Sequence, residues 1–375
     1  MGILDRFRER RQAATGTVRN WAILAVLWAV LTWSGCGWLF PWISPVIRQA
    51  PQPPTETEIH TPAETVLTTE SGGDRTEYGW AGPQMAATAR AELGPQIHAY
   101  AYDPAEWAAI EGKRIVLWPY IRAINSTFGD QDNIPQPAGD CVSRGWSHGC
   151  EFSLAVWAYF NGGKFTRVYP PYIYGISRVQ IGGGRIGGDG SVGAWAAKGV
   201  EQYGVLEWTA DLPRYEAANI RAWGRNGPPA SAIEKGKLHT ASTRLVTDWP
   251  GLCVAISQGC PVPVCSNQGF QKIVEANGRI EGRASGNWAH CMVLIGCDTR
   301  PGLEAAYCLN SWGPNAHAPC EKYKALDGAP CGGFWIPRKT VESMLAAKDS
   351  YAVSFDGFAR RQSAVLKAFG QPSRN

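Results

Sequence analysis

Charge is scarce in this chain: 36 basic and 32 acidic residues among 375, or 18%, against 45% hydrophobic residues. So apolar a composition excludes intrinsic disorder, and a formal net charge of +4 leaves no strong electrostatic footprint for nucleic acid. No repeat with a period of about 20–50 residues is visible, so a solenoid or propeller array is excluded. No Cys-x-x-Cys pair suited to zinc occurs, and the run Gly187–Ser191 lacks the Gly-Lys-Ser/Thr ending of a phosphate-binding loop. Eleven cysteines are too few for a disulfide scaffold, and their odd number leaves at least one thiol without an intramolecular partner. What the chain does have is 17 Trp and 43 Gly, the signature of aromatic packing with tight turns.

No charged residue occurs between Asn20 and Ile47. At ~1.5 Å rise per residue, the segment 21–40 spans a ~30 Å hydrocarbon core as one helix, which Pro41 and Pro45 stop. Trp33-Ser34-Gly35-Cys36 is a poor signal-peptidase site, so an uncleaved anchor is expected. Five arginines against Asp5 and Glu9 precede it, while six acids and one Arg occupy residues 50–78. This asymmetry predicts a single-pass membrane protein whose N-terminus, residues 1–20, is cytoplasmic and whose remainder lies outside the cytoplasm. Residues 41–78, rich in Pro, Thr and Glu, read as a solvated linker. Residues 79–113 hold a short helix at Gln84–Leu93 without assigned function, 114–356 form the compact domain, and 357–375 form a basic tail.

Within that domain, Gln136 to Cys141 is a loop punctuated by Pro and Gly. Val142, Trp146, Cys150 and Leu154 then recur every four residues, and Asn161-Gly162-Gly163 ends the pattern. The spacing predicts an amphipathic helix with Cys141 at its N-terminus, where unpaired amides and the dipole favour a thiolate. Cys150 lies on the opposite side, within the buried stripe, so only one of the two can face a cleft. Taken alone, Cys141 reads equally as a small buried hydrophobe.

The far half of the chain changes that balance. His290 opens the apolar strand-like run 290–296, at 149 residues after Cys141, and Asn310 follows 20 residues later in Asn310-Ser311-Trp312-Gly313. His239 and His317 have no catalytic context. A Cys opening a helix, a His in an apolar strand and an Asn-Ser-Trp-Gly motif, in that order, resemble the papain-like cysteine peptidase family over roughly residues 115–356. The resemblance implies an α+β, two-lobed fold, with a helical lobe and a barrel-like lobe built from strands near 290–297, 305–310, 333–337 and 351–355.

The resemblance also implies chemistry: Cys141 as nucleophile, His290 as its proton partner, Asn310 orienting His290, and Trp312 covering their hydrogen bond. Gln136 and the Cys141 amide correspond to the oxyanion donors. Gly188, Gly190 and Ser191 correspond to a glycine-rich wall of the substrate cleft, for which a tight turn is the alternative reading. The substrate implied is a polypeptide, with no metal or organic cofactor and no nucleic acid. This sequence departs from the family at Ala138, where a second Cys is usual, and at Val142, where Trp is usual. Cys150-Glu-Phe-Ser153 offers a counter-alignment, and the Gln136 loop with the helix dipole favours Cys141. Cys320 and Cys331 could pair if the domain is extracytoplasmic, whereas Cys291, Cys297 and Cys308 are expected inside strands. No inhibitory pro-segment is recognisable. Two other readings stand beside the peptidase: a cell-wall peptidase or transglutaminase, and a papain-like module used for binding or assembly with little turnover.

Overall fold

The computed structural model describes residues 65–69, 78–125, 133–163 and 167–355. The basic N-terminus, the expected anchor 21–40 and the tail 357–375 lie outside them, as does most of the linker. Among the described residues no helix is long and apolar enough to cross a membrane.

Ten strands are present among the described residues: β1 (Thr65–Thr69), β2 (Arg114–Val116), β3 (Ser242–Leu245), β4 (Val262–Gln268), β5 (Lys272–Ala276), β6 (Arg279–Arg283), β7 (Asn287–Asp298), β8 (Ala305–Leu309), β9 (Gly333–Pro337) and β10 (Tyr351–Ser354). Eight form one sheet in the order β1-β5-β6-β9-β8-β7-β2, with β4 also paired to β7. All its pairings are antiparallel except β6 with β9. The strand β7 is its spine: Val262 to Ser266 pair with Leu294 to His290, and Leu309 to Ala305 pair with Val293 to Asp298 on the other edge.

Two expectations are corrected. Residues 65–69, read as linker, form the edge strand β1 against β5, in keeping with a Thr-Val-Leu-Thr-Thr run that favours extended backbone. The strand at 351–354 is not in the large sheet but pairs with β3 in a two-stranded ladder.

The central helix, Cys141–Asn161, ends at Gly162, whose left-handed φ of 67° suits glycine. It was expected to be amphipathic, but residues 141–153 are buried all round. The cause is packing on every side: against β7 and β4, against β10, and against the helix Pro170–Gly175. Cys141 and Cys150 are therefore both buried, within a core that includes Trp146, Trp195, Cys265, Cys291 and Val353. A second, larger core lies between the main sheet and the helices Trp249–Ser257 and Arg338–Leu345.

Close approach of helix to sheet requires small residues. A Cβ at Gly149 would sit 2.8 Å from Pro263 Cγ of β4. A Gly149→Leu variant gains helix propensity of roughly 1 kcal/mol but overpacks this seam at a cost of about 1–3 kcal/mol or more. Denaturant unfolding should show a net loss of stability; an unchanged or raised midpoint would mean the seam is loose.

Candidate active site

The end of β8 and the turn after it place Asn310 beside His290, the fourth residue of β7. His290 Nε2 lies 2.8 Å from Asn310 Oδ1, and the Ser311 amide donates to that same oxygen at 2.7 Å. Because Oδ1 is thereby fixed as the acceptor, His290 Nε2 must be the donor, and neutral His290 carries its lone pair on Nδ1. His290 Nδ1 is buried with no hydrogen-bond partner among the described residues. The other end of the Asn310 amide donates from Nδ2 to His317 Nε2 at 2.9 Å. His317 thus enters the site, although its sequence context gave no signal.

Three rings enclose this chain of bonds. Trp312 is 4.9 Å from His290 and 5.7 Å from His317 between ring centroids, with Trp288 edge-on to His290 at 6.4 Å and Phe334 edge-on to His317 at 4.8 Å. Trp312 thus packs on both imidazoles that the Asn310 amide joins.

Gln136 is tied to the same turn. Its Oε1 accepts from Ser311 Oγ at 2.5 Å, its Nε2 donates to Ala138 O at 3.0 Å, and its amide donates to Ser311 O at 2.8 Å. These bonds anchor the loop before the central helix to the residue that follows Asn310.

Cys141 begins that helix, and its thiol is within hydrogen-bonding reach of the Cys291 and Val142 backbone, contacts that favour the thiolate. The contact with residue 291 brings the sulfur to the neighbour of His290. Cys150 has no such contact: its thiol is pushed up by burial and by the adjacent Glu151. The expectation of a depressed Cys141 thiol is nevertheless corrected. Burial, foremost, holds it well above its ordinary value, with Cys291 and Asp140 adding to the effect. Asp140 is itself buried, which pushes its carboxyl up to about 7 despite bonds from Tyr215 and Ser143. His290 is shifted down to about 4 and His317 down to about 3, in both cases mainly by burial. Burial thus favours the uncharged form of each group, and no hydrogen bond joins Cys141 to His290 among the described residues.

Residues 78–81, where no pro-segment was recognised from sequence, contribute to the burial of His290. The ring of Tyr78 packs on His290 at 5.7 Å and on Trp312 at 5.9 Å. The Gly79 and Trp80 amides donate to Ala289 O at 3.2 and 3.0 Å, and Ser191 bonds Gly79 O at 2.8 Å and the Ala81 amide at 2.9 Å. One short extended stretch thus joins the residue before His290 to the glycine-rich strip. It runs against the Cys141 loop so closely that a Cβ on Gly79 would lie 2.0 Å from Gly139 O. Trp80 is held by its indole, which donates to Asp349 at 2.8 Å.

The glycine-rich strip is a built wall, and the residue that builds it was missed. Buried Arg178 donates to the carbonyls of Ile186, Gly188 and Gly190, and the Gly190 amide donates to Tyr174 Oη. Gly190 has a φ of 114°, open to glycine and rarely to other residues. Ser191 is buried behind it and shares a hydrogen bond with Ser177. The only disulfide among the described residues joins Cys320 to Cys331; Cys291, Cys297 and Cys308 are buried in strands.

The fold is that of the papain-like cysteine proteases. The chain superposes on xylellain, a cysteine protease from Xylella fastidiosa, with a TM-score of 0.52 and 14% identity, covering 76% of this chain and 99% of that one. It also matches digestive procathepsin L 3 of Tenebrio molitor (TM-score 0.42, 14% identity, 74% and 76% covered) and the cysteine protease and lectin-like domains of Cwp84 from Clostridium difficile (0.41, 14%, 78% and 62%). No family model matches the chain, and no curated protein does.

The role of His317 can be read from pH. A neutral buried His resists protonation that the unfolded chain accepts below about 6.5, so it costs stability as pH falls from there towards its folded value. Buried Asp140 and Asp349, shifted up, act in the opposite sense, so the informative quantity is a difference. His317→Phe leaves Asn310 Nδ2 without its acceptor and should cost about 1–3 kcal/mol at pH 7. That deficit should shrink between pH 6.5 and 4 in thermal melts; a constant deficit would show that His317 titrates normally in the fold.

Proposed function

We propose that the chain is a cysteine peptidase that cleaves polypeptides through an acyl-enzyme. Cys141 attacks the scissile carbonyl, His290 Nδ1 takes the thiol proton and later delivers it to the leaving amine, and Asn310 holds the imidazole in register. The observation that carries this reading is the tautomer: Ser311 fixes Asn310 Oδ1 as acceptor, which leaves an unpartnered basic nitrogen on His290. The Cys141 amide, first in its helix, has no acceptor a turn earlier and is suited to the developing oxyanion; Gln136, the second expected donor, has its Nε2 bonded to Ala138 O in this form. Trp312 keeps water from the His–Asn bond.

The form described here is the latent one. Residues 78–81 cover His290 and the strip at Gly190 and Ser191, and their withdrawal hydrates the pair and lets thiolate and imidazolium form. Gly79 is the lever, since only glycine tolerates the approach to Gly139. Gly79→Val should therefore raise the labelling rate of Cys141 by a thiol-reactive peptidyl probe at least tenfold, with turnover of a peptide amide appearing in parallel. In that background Cys141→Ser should abolish labelling and turnover, while Cys150→Ser should retain both. Loss with Cys150→Ser alone would transfer the nucleophile; no labelling in any form would favour the reading as a binding or assembly module, which a buried neutral thiol also suits.

The peptidase is further proposed to be tethered by residues 21–40 with residues 50–375 outside the cytoplasm. The charge asymmetry and the Cys320–Cys331 bond, which belongs in an oxidising compartment, support this. Protease added to intact cells should release the domain; protection until the membrane is opened would reverse the orientation.

A further inference from the structure

Beside the strip that holds Trp80 lies a cavity of about 280 Å3, lined by Gly187, Gly188, Asp189, Arg178, Arg221 and Arg225 among others. It shares a wall with the candidate cleft: Asp189 accepts from the Gly139 amide at 3.4 Å, two residues before Cys141, and Ser191 bridges the extended segment 79–81. Three guanidinium groups line it against one carboxylate. Arg178 is buried, and its hydrogen bonds go to neutral oxygens, the Tyr174 hydroxyl and the carbonyls of Ile186, Gly188, Gly190 and Gly224. Arg221 grips Asp189 at 2.8 and 3.1 Å. Arg225, one turn further along the helix Ala217–Asn226, is exposed and has no acceptor among the described residues. Asp189 answers the charge of Arg221, which leaves those of Arg178 and Arg225 without a carboxylate among the described residues, so the cavity suits one further anion.

We propose that this cavity receives the carboxylate side chain of an Asp or Glu residue in a peptide lying along Gly188–Ser191, with Arg225 as its main donor and Arg221 shared with Asp189. The inference rests on the peptidase reading in taking a peptide as the ligand, and it makes these arginines determinants of an acidic preference near the scissile bond.

Two measurements test it independently. First, the full chain is titrated by NMR with N-acetylglutamate α-amide and with its glutamine counterpart, small enough to reach the cavity with residues 78–81 in place. The glutamate compound should bind about five- to tenfold more tightly at low salt, a modest factor because the site is partly exposed, and the advantage should fade at high ionic strength. Arg225→Gln should remove the difference, Arg225→Lys should keep part of it, and Asp189→Asn, which frees Arg221, should enlarge it. Equal binding of the two compounds, or a difference that survives Arg221→Gln and Arg225→Gln together, overturns the proposal. Second, with the Gly79→Val protein, peptides carrying Glu or Gln at successive positions around the cleaved bond are compared by kcat/KM. A Glu-to-Gln ratio of about five to ten at one position, falling towards one in Arg225→Gln, supports the assignment, whereas a purely structural role would lower both rates and leave the ratio. Turnover with no Glu preference sinks the cavity's role; glutamate binding without turnover or Cys141 labelling sinks the peptidase reading instead.

Discussion

The side-chain amide of Asn310 is the junction through which the rest of the site is oriented. Its oxygen takes donors from His290 and Ser311, and its nitrogen donates to His317. With all three bonds made, the amide cannot flip without setting donor against donor, and that decides which nitrogen of His290 is basic. Ser311 carries the constraint on to Gln136, and so to the loop that delivers Cys141. A sheet strand, a turn and a helix N-terminus are registered to one another through one planar group.

That registration is kept dry. Trp288, Trp312, Phe334 and Tyr78 leave the two imidazoles no water, which explains why burial, not a charged neighbour, dominates both shifts. The helix dipole alone would have lowered the Cys141 thiol. Desolvation works against it, and the buried Asp140 beside the sulfur weakens it further. Burial of both groups favours their uncharged forms, since a charge on either would carry a large desolvation cost.

Much of this was legible in particular residues. Asn-Ser-Trp-Gly after an apolar histidine strand located both His290 and Asn310, and the glycines at 162 and 190 marked a helix end and a special turn. The Asn277-Gly278 pair, both at positive φ between β5 and β6, was an equally plain hairpin signal that was passed over. β1 was missed because composition outweighed the β-branched run within it. His317 carried no local mark at all: it stands in a loop seven residues beyond its partner, and only the closure of that loop brings its ring to Asn310. Arg178 was hidden for a similar reason, since a mid-chain arginine normally reads as solvated.

The sequence by itself determined the order of the candidate residues, the helix that begins at Cys141 and the strand that carries His290, because these depend on local periodicity, turn residues and short motifs. Tertiary structure alone decided that Cys141 lies near Cys291, which nitrogen of His290 faces Asn310, and that residues 78–81 pack on the candidate site. The first and last of these depend on contacts between residues more than a hundred positions apart, and the tautomer on a side-chain bond across 20 positions that only the β7–β8 pairing closes; no local window of the chain contains them.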